Sequence, residues 1–198
     1  MRLALFGGAF DPIHNAHLRI ARDAAERFRL DRVLFVPAAN PPHKQVHAPY
    51  EDRYSMVELA LAGEPGMAPS RLEADTAQSF SIETIEELKP ELAPDDELFF
   101  LIGADAFAEI KTWKRWRDVA RAVEFIVVSR PGHRYDAPEE TRVHRLDTLQ
   151  LPVSSSEIRA RLAAGEAQVD APPAVLGYIR ERNLYSSQSH PFSEKLRG

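Results

Sequence analysis

The 198-residue chain contains no cysteine. That excludes disulfides, a thiolate nucleophile and every zinc or iron–sulfur site that depends on cysteine ligands. No run approaches the roughly 18 to 20 apolar residues of a membrane-spanning helix. The opening "MRLALFGGAFDP" passes from an apolar strand into a glycine turn, where a signal peptide would carry a longer apolar stretch and a cleavage site. A cytoplasmic protein without a membrane partner is expected. Positive charge is in short supply, with 25 basic against 30 acidic residues, which argues against a nucleic-acid partner. A small anion is still open as a ligand, because it needs only local N–H groups and a few cations. Internal repeats and low-complexity segments are absent as well.

What is present is an ordinary globular composition, 44% hydrophobic and 28% charged, in a length suited to one domain. That domain is expected over residues 1–185, with a helical C-terminal part from about 154 to 185. The polar stretch "SSQSHPFSEKLRG" (186–198) is expected to be a poorly ordered tail. Four apolar runs, "RLALF" (2–6), "RVLFVP" (32–37), "ELFFLI" (97–102) and "EFIVVS" (124–129), lack polar alternation and predict strands buried on both faces. "SRLEA" (70–74) and "RVHRL" (142–146) are weaker strand candidates. Helices are predicted near 15–29, 51–62, 81–89, 113–122, 154–164 and 173–182. The alternation implies an α/β, Rossmann-like, doubly wound and mainly parallel sheet with helices on both faces.

In such sheets ligands bind outside the carboxyl ends of the strands. The segments that follow the four strong strands are Gly7-Gly8, "PAANPPHK" (37–44), Gly103-Ala104-Asp105 and "SRPG" (129–132). All are glycine- or proline-bearing loops with polar groups. After the first, Asn15 is a candidate helix cap, and His14 and His17 share a face at the helix start. Backbone N–H groups and two imidazoles there make a candidate anion site. A turn without function and a metal-binding His pair are the competing readings. HExxH, GxxxxGK[ST] and GxGxxG are all missing.

"VSSSEIRARL" (153–162) holds a second anion candidate. Ser154 and Glu157 have capping-box spacing, Ser155 and Ser156 fall in the first helical turn, and Arg159 follows about one turn later.

"GGAFDPIHNAH" resembles the GG-x-FDP-x-H-x-GH motif of the nucleotidyltransferase superfamily, and "VSSSEIR" resembles its ISSTxIR motif. "VPAANPPHK", "FFLIGADAFAEIKTW", "VVSRPG" and "LGYIRERNLY" extend the likeness, from residue 3 to residue 185, to the nicotinate-nucleotide adenylyltransferase family. The resemblance implies transfer of the AMP moiety of ATP to nicotinate mononucleotide, with Mg²⁺ held mainly through the ATP phosphates and no metal ligands assigned on the protein. His14, His17 and Arg159 would be catalytic. Gly7, Gly8, Ala9, Phe10, Gly103, Asp105, Ser154, Ser155 and Ser156 would join them in binding ATP. Asn40, Lys44, Ser81, Trp113 and Arg130 would bind the mononucleotide, with Trp113 stacking on the pyridine ring.

Three departures from the family pattern stand out. Ala9 replaces Thr or Ser, Ala16 replaces Gly, and Phe80 with Ser81 replaces Tyr-Thr. The loss of the hydroxyl at 80 leaves acid or amide pyridine substrates open. A phosphopantetheine acceptor, or a non-catalytic nucleotide-binding protein on the same fold, is the alternative. The sequence assigns no oligomeric state.

Overall fold

A computed structural model describes residues 1–42, 45–148 and 153–186. Strands β1 (Arg2–Gly8), β2 (Arg32–Pro37), β3 (Met67–Pro69), β4 (Glu97–Gly103), β5 (Glu124–Ser129) and β6 (Val143–Asp147) form one sheet in the order β3-β2-β1-β4-β5-β6. Every pairing is parallel. This is the Rossmann strand order, in which the winding direction reverses between β1 and β4 and opens a crevice at their carboxyl ends.

The uninterrupted apolar runs follow from that burial. Ala4 and Phe6 of β1 face one hydrophobic cluster together with residues of α1 (Asn15–Phe28), α2 (Tyr50–Leu61), α6 (Ser155–Ala163) and α7 (Pro173–Glu181). Leu3 and Leu5 face the other cluster, with α3 (Ser81–Leu88), α4 (Ala104–Ala108) and α5 (Trp116–Ala122). Both faces are therefore covered, as expected from the sequence.

Two differences concern element boundaries. "SRLEA" (70–74) is not a strand; the edge strand is the three-residue Met67–Pro69 just before it. Pro69 has no N–H to donate, which an edge strand tolerates, and Ser70 makes the last bond to β2 through Phe35 O at 2.8 Å. The segment "GADAFAEIKTW" also folds into α4 and a 3-10 turn at Ile110–Thr112, so α5 begins only at Trp116. No helix among the described residues is long and apolar enough to cross a membrane. Of the polar tail, residues 187–198 lie outside the described residues.

Candidate active site

β1 delivers the chain to the crevice at Gly8. A Cβ at Gly8 would meet three atoms of the Phe10 ring at 3.1–3.3 Å, so glycine serves close approach there. Its φ is not positive; the left-handed residue is Phe10, at φ 47°, and the Asp11–Pro12 bond is cis. Phe10 is buried edge-on to Phe6 and to the His17 ring, with centroids 5.7 and 5.1 Å apart.

The cap of α1 is His14, not Asn15. Asn15 is unavailable because its side-chain amide donates to Asp170 Oδ1 at 2.6 Å, which ties the helix start to the segment before α7. His14 N–H instead donates to His17 Nδ1 at 3.2 Å. Accepting there places the His17 proton on Nε2. The two imidazoles stack with centroids 3.7 Å apart. Burial pushes His14 down to about 4, against the opposing pull of the Asp170 charge, so its ring is neutral at pH 7. Its Nδ1 is buried and has no hydrogen-bond partner among the described residues.

The second element closes on the first. Ser154 caps α6 by accepting from Glu157 N–H at 3.1 Å, as its spacing predicted. Ser155 Oγ donates to Pro12 O at 2.9 Å, and Arg159 Nη1 donates to Asp11 O at 2.7 Å. A cleft of about 830 Å³ lies between them, its lining including Gly7, Gly8, Ala9, Phe10, His14, His17, Ser154, Ser155, Ser156 and Arg159, and also Arg130 and Arg19. Residues about 140 positions apart in the chain thus surround one space, with backbone N–H groups of a helix start, hydroxyls, imidazoles and guanidinium groups. That donor set suits a polyanion.

Other predicted residues share the rim without lining this cleft. Gly103 caps α4, and Asp105 lies exposed in its first turn. Asn40 uses its side-chain amide to hold Thr76 O at 2.9 Å, and its N–H donates to Ser79 Oγ. Ser81 opens α3. Trp113 is half-buried and packs edge-on to Phe100 at 5.7 Å, while Lys114 Nζ sits 4.4 Å over the Phe80 ring. Lys44 lies outside the described residues.

Three residues of the site were not expected from the sequence. Asp11, 2% exposed, accepts from His47 N–H at 2.7 Å, Ala48 N–H at 3.1 Å and the Tyr185 hydroxyl at 2.6 Å. Tyr185 thereby binds the chain after α7 to the loop after β1. Arg53, on α2, is 0% exposed beneath the same loop. The signal available for Arg53 was an arginine on the inner face of a predicted helix.

Fold and cleft are those of a nucleotide-binding α/β protein, with a donor-lined space between a glycine turn and a facing helix start. Comparison with known proteins narrows that class. The model of the cytidylyltransferase-like family matches residues 5–161. A Solibacter usitatus protein named "probable nicotinate-nucleotide adenylyltransferase" is 61% identical over 188 residues, covering 94% of this chain and 100% of its own length. A Thermus thermophilus protein of the same name is 45% identical, covering 93% of this chain and 100% of its own. The structure of Plasmodium falciparum nicotinic acid mononucleotide adenylyltransferase complexed with NaAD shares the fold, with a TM-score of 0.77 at 20% identity over 93% of this chain and 97% of that one. The chain belongs to the cytidylyltransferase-like family, among its nicotinate-nucleotide adenylyltransferases.

Proposed function

We propose that the protein transfers the AMP moiety of ATP to nicotinate mononucleotide, giving deamido-NAD and pyrophosphate. The observation that carries this reading is the cleft in which His14, His17, Ser154, Ser155, Ser156 and Arg159 converge on the turn after β1. The names of the relatives supply the acceptor.

The mononucleotide phosphate is itself a competent nucleophile, so the reaction needs no covalent intermediate on the protein. Catalysis is then positioning for in-line attack at the α-phosphorus and stabilisation of charge as pyrophosphate leaves. His17, with its proton held on Nε2, donates to a phosphate oxygen, and Arg159 supplies fixed positive charge from the opposite side. His14 contributes a desolvated, neutral imidazole whose affinity for a proton an adjacent phosphate raises. Asn40, Ser81 and Trp113 on the rim and Arg130 at the phosphate cleft are assigned to the mononucleotide, as is Lys44 from its sequence motif. Gly103 and Asp105 are assigned to the adenosine side.

Mg²⁺ is proposed to enter on the ATP phosphates. The cleft holds two carboxylates, Asp11, which is engaged by its own partners, and Glu157, beside imidazoles, hydroxyls and guanidinium groups, and no group of three or more His, Asp or Glu among the described residues comes together to hold a metal. When bound, the ion neutralises charge on the departing pyrophosphate.

The test is incubation with ATP, Mg²⁺ and either nicotinate or nicotinamide mononucleotide, with pyrophosphate as the readout. Faster release with the acid is expected. Faster release with the amide reassigns the substrate, and silence with both overturns the reading in favour of another acceptor, such as a phosphopantetheine, or of a binding protein.

A further inference from the structure

We infer that Arg53 is a positioning residue for the adenylyl transfer, locking the loop after β1 to the loop after β2 through their carbonyl oxygens. The inference rests on the adenylyltransferase reading above and adds to it a residue that touches no substrate.

The geometry is that of a buried clamp. Arg53 Nη1 donates to Ala9 O and to Ala38 O, both at 2.7 Å. Nη2 donates to Ala39 O at 3.2 Å, and Nε donates to Ala48 O at 3.1 Å. Ala9 lines the phosphate cleft, whereas Ala38 and Ala39 lead directly into Asn40 on the mononucleotide side. One guanidinium group thus spans the two halves of the proposed substrate site.

Arg53 forms no ion pair with a carboxylate among the described residues. Burying a cation chiefly on carbonyl oxygens, with the Tyr50 ring 5.7 Å away and the Asp11 charge acting on it without an ion pair, is costly, and a packed apolar side chain would serve a merely structural helix better. What an apolar residue cannot do is collect oxygens from three separate segments in one rigid plane.

The clamp is anchored at both ends. Asp52, the preceding residue, accepts from Tyr178 Oη at 2.8 Å and Arg182 Nε at 3.1 Å, which fixes α2 to α7. Asp11 accepts from Ala48 N–H, so the residue whose carbonyl Arg53 holds is also tied to the loop after β1. Movement of the β1 loop relative to the β2 loop therefore has to break bonds at Arg53. Reacting phosphates held on these two loops need registry well below 1 Å, since a misplacement of that order costs about 10²-fold in rate.

The experiment compares wild type, Arg53→Lys and Arg53→Gly in the full chain, with ATP, Mg²⁺ and nicotinate mononucleotide, each corrected for its folded fraction by urea titration. Lysine keeps the charge but not the planar fork. For Arg53→Lys, kcat is expected to fall 10-fold or more while KM for either substrate moves less than about threefold. Guanidinium ion at low millimolar concentration is expected to raise kcat per folded molecule of Arg53→Gly at least several-fold. Wild-type kcat in Arg53→Lys overturns the inference. So does guanidinium that stabilises Arg53→Gly without raising its kcat, which would mark a purely structural role. An inactive wild type instead overturns the adenylyltransferase reading, and the positioning role for that reaction goes with it.

Discussion

Tyr185 donates its hydroxyl to Asp11 Oδ1 at 2.6 Å, so the chain beyond the final helix closes over the carboxylate of the loop that follows β1. Burial beside Asp11 raises the phenol well above its usual pKa and keeps it in the donating form. Tyr185→Phe leaves that buried carboxylate with one donor fewer and is expected to cost about 1–3 kcal/mol of stability, measured by urea unfolding. An unchanged midpoint would show that the contact contributes nothing to the fold.

His14 couples stability to pH. Its folded value of about 4 lies below the unfolded 6.5, so the unfolded chain takes up a proton first as the pH drops. The stability associated with a neutral, buried ring is complete above pH 6.5 and is lost between there and about pH 4, by roughly 3 kcal/mol. His14→Gln should flatten that part of the curve of unfolding free energy against pH. Parallel curves for the variant and wild type would contradict the assignment.

His17→Ala removes a donor that acts on charge developing in the transition state. A loss in kcat per folded molecule on the order of 10²-fold or more is expected, with native circular dichroism and a stability loss limited to the about 0.5–2 kcal/mol of the helix-start bond that His17 accepts from His14 N–H. Wild-type turnover in that variant would remove His17 from the reaction.

Gly8→Ala tests close approach. The added methyl meets the Phe10 ring at 3.1–3.3 Å, and that ring is boxed in by Phe6, Phe35 and His17. Overpacking of this kind costs about 1–3 kcal/mol. The displaced ring should also weaken ATP binding, as titration calorimetry would detect; an alanine variant with native stability and affinity would mean that the loop yields freely.

The long apolar strands were legible in the sequence because burial on both faces removes polar alternation, and the order of their loops along one rim followed from parallel pairing. The edge strand Met67–Pro69 was not, since three residues ending in proline carry too short a pattern. Asn15 looked like the cap because its side chain suits that role. Its capture by Asp170, 155 residues away, is visible only after folding. The Ser154 cap was legible because both partners lie within one turn. Arg53 was not, because its partners are carbonyl oxygens, which every residue type possesses.

That last property bears on how such a sequence can drift. The four positions held by Arg53 are all alanine, at 9, 38, 39 and 48, yet each contributes only main-chain oxygen. Side-chain exchange at the half-buried Ala9 and Ala38 leaves the clamp's chemistry untouched, so the departure at Ala9 from the hydroxyl common in its family is invisible to it, whereas the buried Ala39 and Ala48 leave no room for a larger side chain. Change at position 53 is felt at all four. Mutational tolerance around the site is thus unevenly distributed, loose at Ala9 and Ala38 where only the backbone is grasped, limited by packing at Ala39 and Ala48, and tight at the residue doing the grasping.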